Sequence, residues 1–216
     1  MTLAHELGHG VHAYLSRNQS YAEFSSATPV AEVASVFGEM LVFDYLYDHT
    51  EDKKLKINLL SDKLQQIFAT VFRQNAFHLF ELDNHTHRRE KGELRQEEFN
   101  NYYQSRLQNM FGESLTLTDD HRFWWMDINH FFNYDFYVYS YVFGELLTLA
   151  LYFKYKNEGE KFINDYVNSL KLGGSKSPAG ITKSMGVDIS DPEFWNKGLD
   201  ILDDYVGRFI ELADSS

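Results

Sequence analysis

Two histidines and a glutamate open the chain in a pattern that can do chemistry: His5-Glu6-Leu7-Gly8-His9. Residues four apart on a helix stand one above the other, so His5 and His9 can offer imidazole nitrogens to one divalent ion. Glu6 then lies beside the open side of that ion. This is the HExxH arrangement, in which the histidines ligate zinc and the glutamate is general base for a metal-activated water. Three fixed residues are a short signal, and the rest of the chain must supply what the chemistry still needs.

It needs a third protein ligand, with one position left for water or substrate. Glu23, Glu32 and Glu39 are the carboxylates downstream. Glu23 lies in a polar stretch, where a solvated loop charge is the plainer reading. Glu32 interrupts the apolar run from Val30 to Val36, and a carboxylate there is costly unless it is paired, bound to a metal or turned to water. Glu39 is seven residues on, hence on the same helical face, with Ser35 between them. If Glu32 takes the metal, Ser35 and Glu39 can hydrogen-bond the ligands from behind. The competing reading is a polar helix face. His12, three past His9, reads as a hydrogen-bonded histidine in a polar seam; a third histidine ligand in the metzincin manner would stand at position 15, which is Leu15.

A second group lies far downstream. His130 sits in an aromatic stretch, where a neutral histidine with one partner is the common outcome. Tyr137 and Tyr141 are four apart and are expected on one helical face. By themselves they read as tyrosines at a core boundary.

Together these residues resemble the M3 family of zinc oligopeptidases, within it the oligoendopeptidase F branch. The likeness rests on Thr2 to His12, on Ala31-Glu32-Val33-Ala34-Ser35, and on His130-Phe131-Phe132 with Phe136-Tyr137-Val138-Tyr139-Ser140-Tyr141. It continues through Gly173-Gly174-Ser175, Ser177-Pro178 and Gly186-Val187-Asp188, and so covers essentially the whole chain. The resemblance implies one Zn2+ per chain on His5, His9 and Glu32, with Glu6 as catalytic base. It implies that His130, Tyr137 and Tyr141 stabilise the tetrahedral intermediate, with Tyr134 and Tyr139 close enough to compete for substrate contacts. It further implies a metalloendopeptidase that cleaves short unstructured oligopeptides in a channel between helical lobes.

The elements that must position these groups read as helices throughout. A first is expected over residues 3 to about 17, with Leu3, Leu7, Val11, Tyr14 and Leu15 on or near one face. A second follows Thr28-Pro29 to about residue 47. The longest stretch runs from 53 to about 91, and another from 93 to 110 up to Gly112. Residues 134–156 read as an apolar, mostly buried helix, followed by one over 161–172. A short helix opens at Ser177-Pro178, and a last one runs from Asp191-Pro192 to about residue 212. Only residues 115–118 alternate like a strand. The fold class is all-α, the multi-helix catalytic half of a zincin-like oligopeptidase with little or no sheet, treated as one catalytic domain over residues 1–216.

Composition excludes several other classes. Lys+Arg 20 against Asp+Glu 32 gives a formal net charge of −12, which argues against a nucleic-acid footprint and against attraction to an anionic membrane. With 44% hydrophobic and 16% aromatic residues the chain can bury a core. No apolar run approaches a membrane span. The cysteine count is 0, so neither a disulfide framework nor a thiolate nucleophile is available, in keeping with a reducing cytoplasm.

The zinc helix starts at about residue 3, whereas M3 enzymes carry a long helical region ahead of it. The expectation is that upstream sequence is absent. A second reading follows, of a catalytically incompetent helical fragment that needs a separate N-terminal half or associates with itself through exposed apolar faces. A thermolysin-like protease is weaker: it would carry a β-rich lobe upstream and a third ligand nearer the motif, where only Glu23 stands.

Overall fold

The computed structural model describes residues 1–134 and 136–215. Eleven α-helices occur among them: α1 Thr2–Ser16, α2 Thr28–Ala31, α3 Val33–Asp48, α4 Lys53–Ile67, α5 Gln74–Lys91, α6 Gln96–Phe111, α7 His130–Asn133, α8 Tyr139–Glu158, α9 Glu160–Leu170, α10 Pro178–Ser184 and α11 Pro192–Asp214. A π-helical stretch, Phe68–Arg73, separates α4 from α5, and 3-10 turns cover Tyr21–Glu23 and Asp119–Asp127. No strand occurs among the described residues, and the backbone of 115–118 is held by the side chains of Gln104 and Gln108 instead of a partner strand. The chain is all-α. No described helix is long and apolar enough to cross a membrane.

The later helix starts follow ordinary capping chemistry. The Ser177 hydroxyl accepts from the Gly180 N–H with Pro178 in the first turn, and the Asp191 carboxylate accepts from the Glu193 N–H ahead of Pro192. Three sequence expectations need correction. The helix expected from Pro29 is broken at Glu32, which is the junction between α2 and α3 rather than a residue one turn inside a continuous helix. The 53–91 helix is interrupted by its π turns. Helix α8 begins only at Tyr139, and Phe136 takes a left-handed φ of 50°, so Tyr137 precedes the helix that carries Tyr141.

The described residues divide into two compact units. The first comprises residues 1–66 with 143–215, and the second 67–142. The core of the first is built from Phe37 and Met40 of α3, Leu147 and Leu151 of α8, Phe162 of α9 and Ile181 of α10. Phe37 is its hub, stacked on Tyr166 at 4.5 Å and edge-on to Tyr152 at 5.3 Å. Each such side chain contributes about 1.5–3 kcal/mol by leaving water, so this cluster anchors α3, on which α1 lies. The stripe Leu3, Leu7, Val11 and Tyr14 of α1 stays exposed in this unit; α1 meets α3 through its small residues instead.

The second unit packs Phe77 and Phe80 of α5 against Tyr103 and Leu107 of α6 and against Val138. Into that core α5 also carries Glu81, which is 5% exposed, and whose Oε2 has no hydrogen-bond partner among the described residues. Burial pushes its carboxyl up to about 7. A raised acid binds its proton more tightly in the folded state. Its favourable contribution is therefore complete below the ordinary carboxylate pKa and is lost as pH rises through about 7. Glu81→Gln should flatten the fall of thermal stability across that window and raise the melting midpoint at pH 8. An unaltered pH dependence of the midpoint would contradict it.

Candidate metal centre

Helix α1 supplies His5 and His9, and the α2–α3 junction supplies Glu32. His5 Nε2 and His9 Nε2 are 3.1 Å apart, and Glu32 Oε2 lies 3.3 Å from the first and 3.4 Å from the second. Donors held about 2.0–2.1 Å from a tetrahedral zinc are about 3.3 Å from one another, so this triangle has the size such an ion requires. Two imidazole lone pairs facing each other at this range repel unless a cation or a proton stands between them. Among the described residues this is the one cluster of three or more histidine and carboxylate side chains whose ligand atoms fall within 4.8 Å of one another. Its chemistry, two borderline nitrogens and one hard oxygen with a side left open, fits zinc.

The close approach of two helices makes the triangle possible. A Cβ built on Gly8 would stand 2.4 Å from the Ala34 carbonyl oxygen and 2.5 Å from the Ser35 Cα, both backbone atoms of α3. Gly144 brings α8 close to the third ligand with less crowding, since a Cβ there would stand 3.3 Å from the Pro29 carbonyl oxygen and 3.4 Å from the Glu32 side chain. No residue but glycine fits at position 8 with the helices this close.

Behind the triangle the ligands are held by hydrogen bonds. His5 Nδ1 donates to Glu39 Oε1 at 2.7 Å, which assigns the proton to Nδ1 and turns the Nε2 lone pair towards Glu32 and His9. The fully buried Ser35 hydroxyl lies 3.0 Å from Glu32 Oε2 and 2.8 Å from the Glu32 carbonyl oxygen, and its single proton is shared between these two acceptors. Glu6 is exposed on α1, beside His5. Glu23 lies in an exposed 3-10 turn, where its carboxylate accepts from the Ser20 hydroxyl at 2.9 Å, away from the triangle. His12 is half-buried outside the triangle; burial pushes its imidazole below the usual range, and His9 adds to the shift. With His9, Phe24, Ser25, Ser26 and Ala31 it lines a cavity of about 160 Å³. The 23–25 loop on that side is tied down where the Gly174 N–H donates to the Glu23 carbonyl at 2.6 Å.

Two charged residues absent from the sequence reading belong to this region. Lys63 of α4, 2% exposed, lies 3.7 Å from Glu39 Oε2 and 4.0 Å from Glu145 Oε1 of α8. Burial pushes the Glu145 carboxyl up, and Lys63 pulls it back. The signal was present: Lys63 falls on the helical stripe of Leu60 and Ile67, and Glu145 interrupts an apolar helix.

The second unit gathers the downstream aromatic residues. His130 Nε2 and the Tyr141 hydroxyl are hydrogen-bonded at 3.2 Å. Tyr137 stacks on the His130 ring at 5.8 Å and meets Tyr141 edge-on at 5.3 Å, although the two tyrosines do not share a helix. Tyr134 packs on Tyr137 at 5.3 Å. Tyr139 stands apart from this group, with its ring 6.0 Å from His78.

Comparison with known proteins gives a consistent picture. The family model of peptidase family M3 matches residues 1–201. Oligopeptidase PepF of Bacillus subtilis (strain 168) is 36% identical over 193 residues, which cover 89% of this chain and 29% of the relative. Group B oligopeptidase PepB of Streptococcus agalactiae serotype III (strain NEM316) is 30% identical over 216 residues, covering 99% of this chain and 35% of the relative. The crystal structure of oligoendopeptidase-F from Enterococcus faecium superposes with a TM-score of 0.87 at 28% identity, over 100% of this chain and 39% of that one. The chain therefore spans about a third of the length of the proteins it matches.

Proposed function

This chain belongs to peptidase family M3, and from that premise we propose that it carries the catalytic centre of a zinc endopeptidase acting on short, unstructured oligopeptides. The observation that carries the proposal is the donor triangle of His5, His9 and Glu32, sized for one zinc ion. The relatives named oligopeptidase support the substrate class.

Zinc bound there supplies positive charge that acidifies a water and polarises a peptide carbonyl. The remaining work belongs to side chains of this chain. Glu6, in its carboxylate form, accepts the proton of the attacking water and returns it to the amine that departs. Glu39 holds the Nδ1 proton of His5, and Ser35 holds Glu32 Oε2, so the ligands keep their orientation as charge develops. His130, Tyr137 and Tyr141 are proposed as donors to the developing oxyanion. Tyr134 and Tyr139 are proposed as substrate contacts. For these five residues the support is the family resemblance, joined for His130, Tyr134, Tyr137 and Tyr141 by their mutual clustering. The cavity beside His9 offers room for a substrate side chain next to the ligands.

The test pairs metal analysis of the purified protein with cleavage of an internally quenched oligopeptide. One zinc per chain is expected, with cleavage lost on chelation and regained with one equivalent of zinc. Undiminished cleavage by metal-free protein would overturn the proposal. Coverage of about a third of each relative favours a second reading, in which turnover needs further polypeptide. Stoichiometric zinc without cleavage would select that reading.

A further inference from the structure

Lys63 lies outside the donor triangle, yet it belongs to a continuous line of charge that starts there. His5 Nδ1 meets one oxygen of Glu39 at 2.7 Å, the other oxygen of Glu39 lies 3.7 Å from Lys63 Nζ, and Lys63 Nζ lies 4.0 Å from Glu145. The four residues come from α1, α3, α4 and α8, one from each helix of the first unit that surrounds this point. An ammonium that is 2% exposed is unfavourable unless opposite charge answers it, and two carboxylates do so here. The converse also holds. Without the ammonium, Glu145 would be left to the burial that pushes its carboxyl up, and Glu39, the more exposed of the two, would lose the charge that faces its second oxygen and could turn away. Turning away would release the His5 ring, whose orientation depends on that carboxylate.

We propose that Lys63 is a positioning residue of the metal centre: it fixes the Glu39 carboxylate against His5 and so sets zinc affinity, with Glu145 anchoring Lys63 from behind. This rests on the reading that His5, His9 and Glu32 hold the ion. The general expectation for a group that orients a ligand through hydrogen bonds is a 10- to 100-fold effect on affinity, and one further step out places Lys63 at the lower end, about tenfold.

The experiment measures zinc affinity by competition with a fluorescent chelator, the visible spectrum of the cobalt-loaded protein, and thermal unfolding of the metal-free protein. Lys63→Met should weaken zinc binding about tenfold and shift the cobalt spectrum, while Lys63→Arg, which keeps the charge, stays within about threefold of the unmodified protein. Should the Met variant fail to fold, Lys63→Gln fills similar space with a neutral amide and carries the same expectation. The proposal is overturned if removing the charge leaves zinc affinity unchanged. It is equally overturned if Arg and Met weaken binding alike, in step with lost metal-free stability and with an unaltered cobalt spectrum, which is how a merely structural lysine would behave. Failure of the unmodified protein to bind zinc would instead overturn the reading of the triangle itself.

Discussion

Replacing Glu6 with Gln is expected to lower turnover of an oligopeptide by about 10³-fold while leaving zinc affinity within about twofold of the unmodified protein. The two halves of that expectation come from different observations. Glu6 is exposed on α1 and is not among the residues whose ligand atoms converge, so its removal takes no bond from the ion. The amide has the same shape as the carboxylate but cannot accept the proton of an attacking water. General-base removal of this kind ordinarily accounts for 10²–10⁴-fold in rate. Parallel measurement of zinc content, KM and kcat separates the cases. A loss confined to kcat supports the assignment, whereas a Gln variant that still cleaves at the original rate removes Glu6 from the mechanism.

How far this site was legible in advance depended on whether the signal was local. The spacing of His5 and His9 is a helix property, and α1 contains both. Glu32 could be singled out as a carboxylate in an apolar run, but the break in the helix at that residue could not. Thr28-Pro29 announces one helix start, and no glycine or proline marks the restart at Val33. The same blindness affected residues 134–138, where aromatic residues at helical spacing hid the left-handed Phe136. Lys63 and Glu145 posed a different difficulty. A helical wheel shows that each lies on an apolar face, yet only tertiary packing shows that the two faces converge and that Glu39 joins them. The apolar stripe of α1 misled in the opposite direction, because the tightest packing of that helix is made by a glycine with no hydrophobicity to detect.

That glycine carries the second large expectation. Gly8→Ala should weaken zinc binding by more than about 100-fold and lower the melting midpoint, by the same reasoning that gives overpacked interiors a cost of about 1–3 kcal/mol. Alanine is the better helix former by about 1 kcal/mol, so an interior glycine of α1 would ordinarily be stabilised by the change. At position 8 the new Cβ would lie 2.4 Å and 2.5 Å from backbone atoms of α3, and backbone cannot rotate out of the way as a side chain can. The helices must separate, by something approaching 1 Å if the contact is to reach ordinary van der Waals range. Glu32 sits just ahead of the atoms displaced, and its 3.3 Å and 3.4 Å spacings to the histidines would open beyond what bonds of zinc length can span. Gly10 supplies the control, two residues along the same helix, where an added Cβ meets nothing within 4 Å. Gly10→Ala should raise the melting midpoint and leave zinc affinity alone. Zinc titration and thermal unfolding of both variants decide the matter: opposite responses tie the metal centre to the closeness of α1 and α3, and a Gly8→Ala protein that binds zinc normally would show that the triangle does not depend on it.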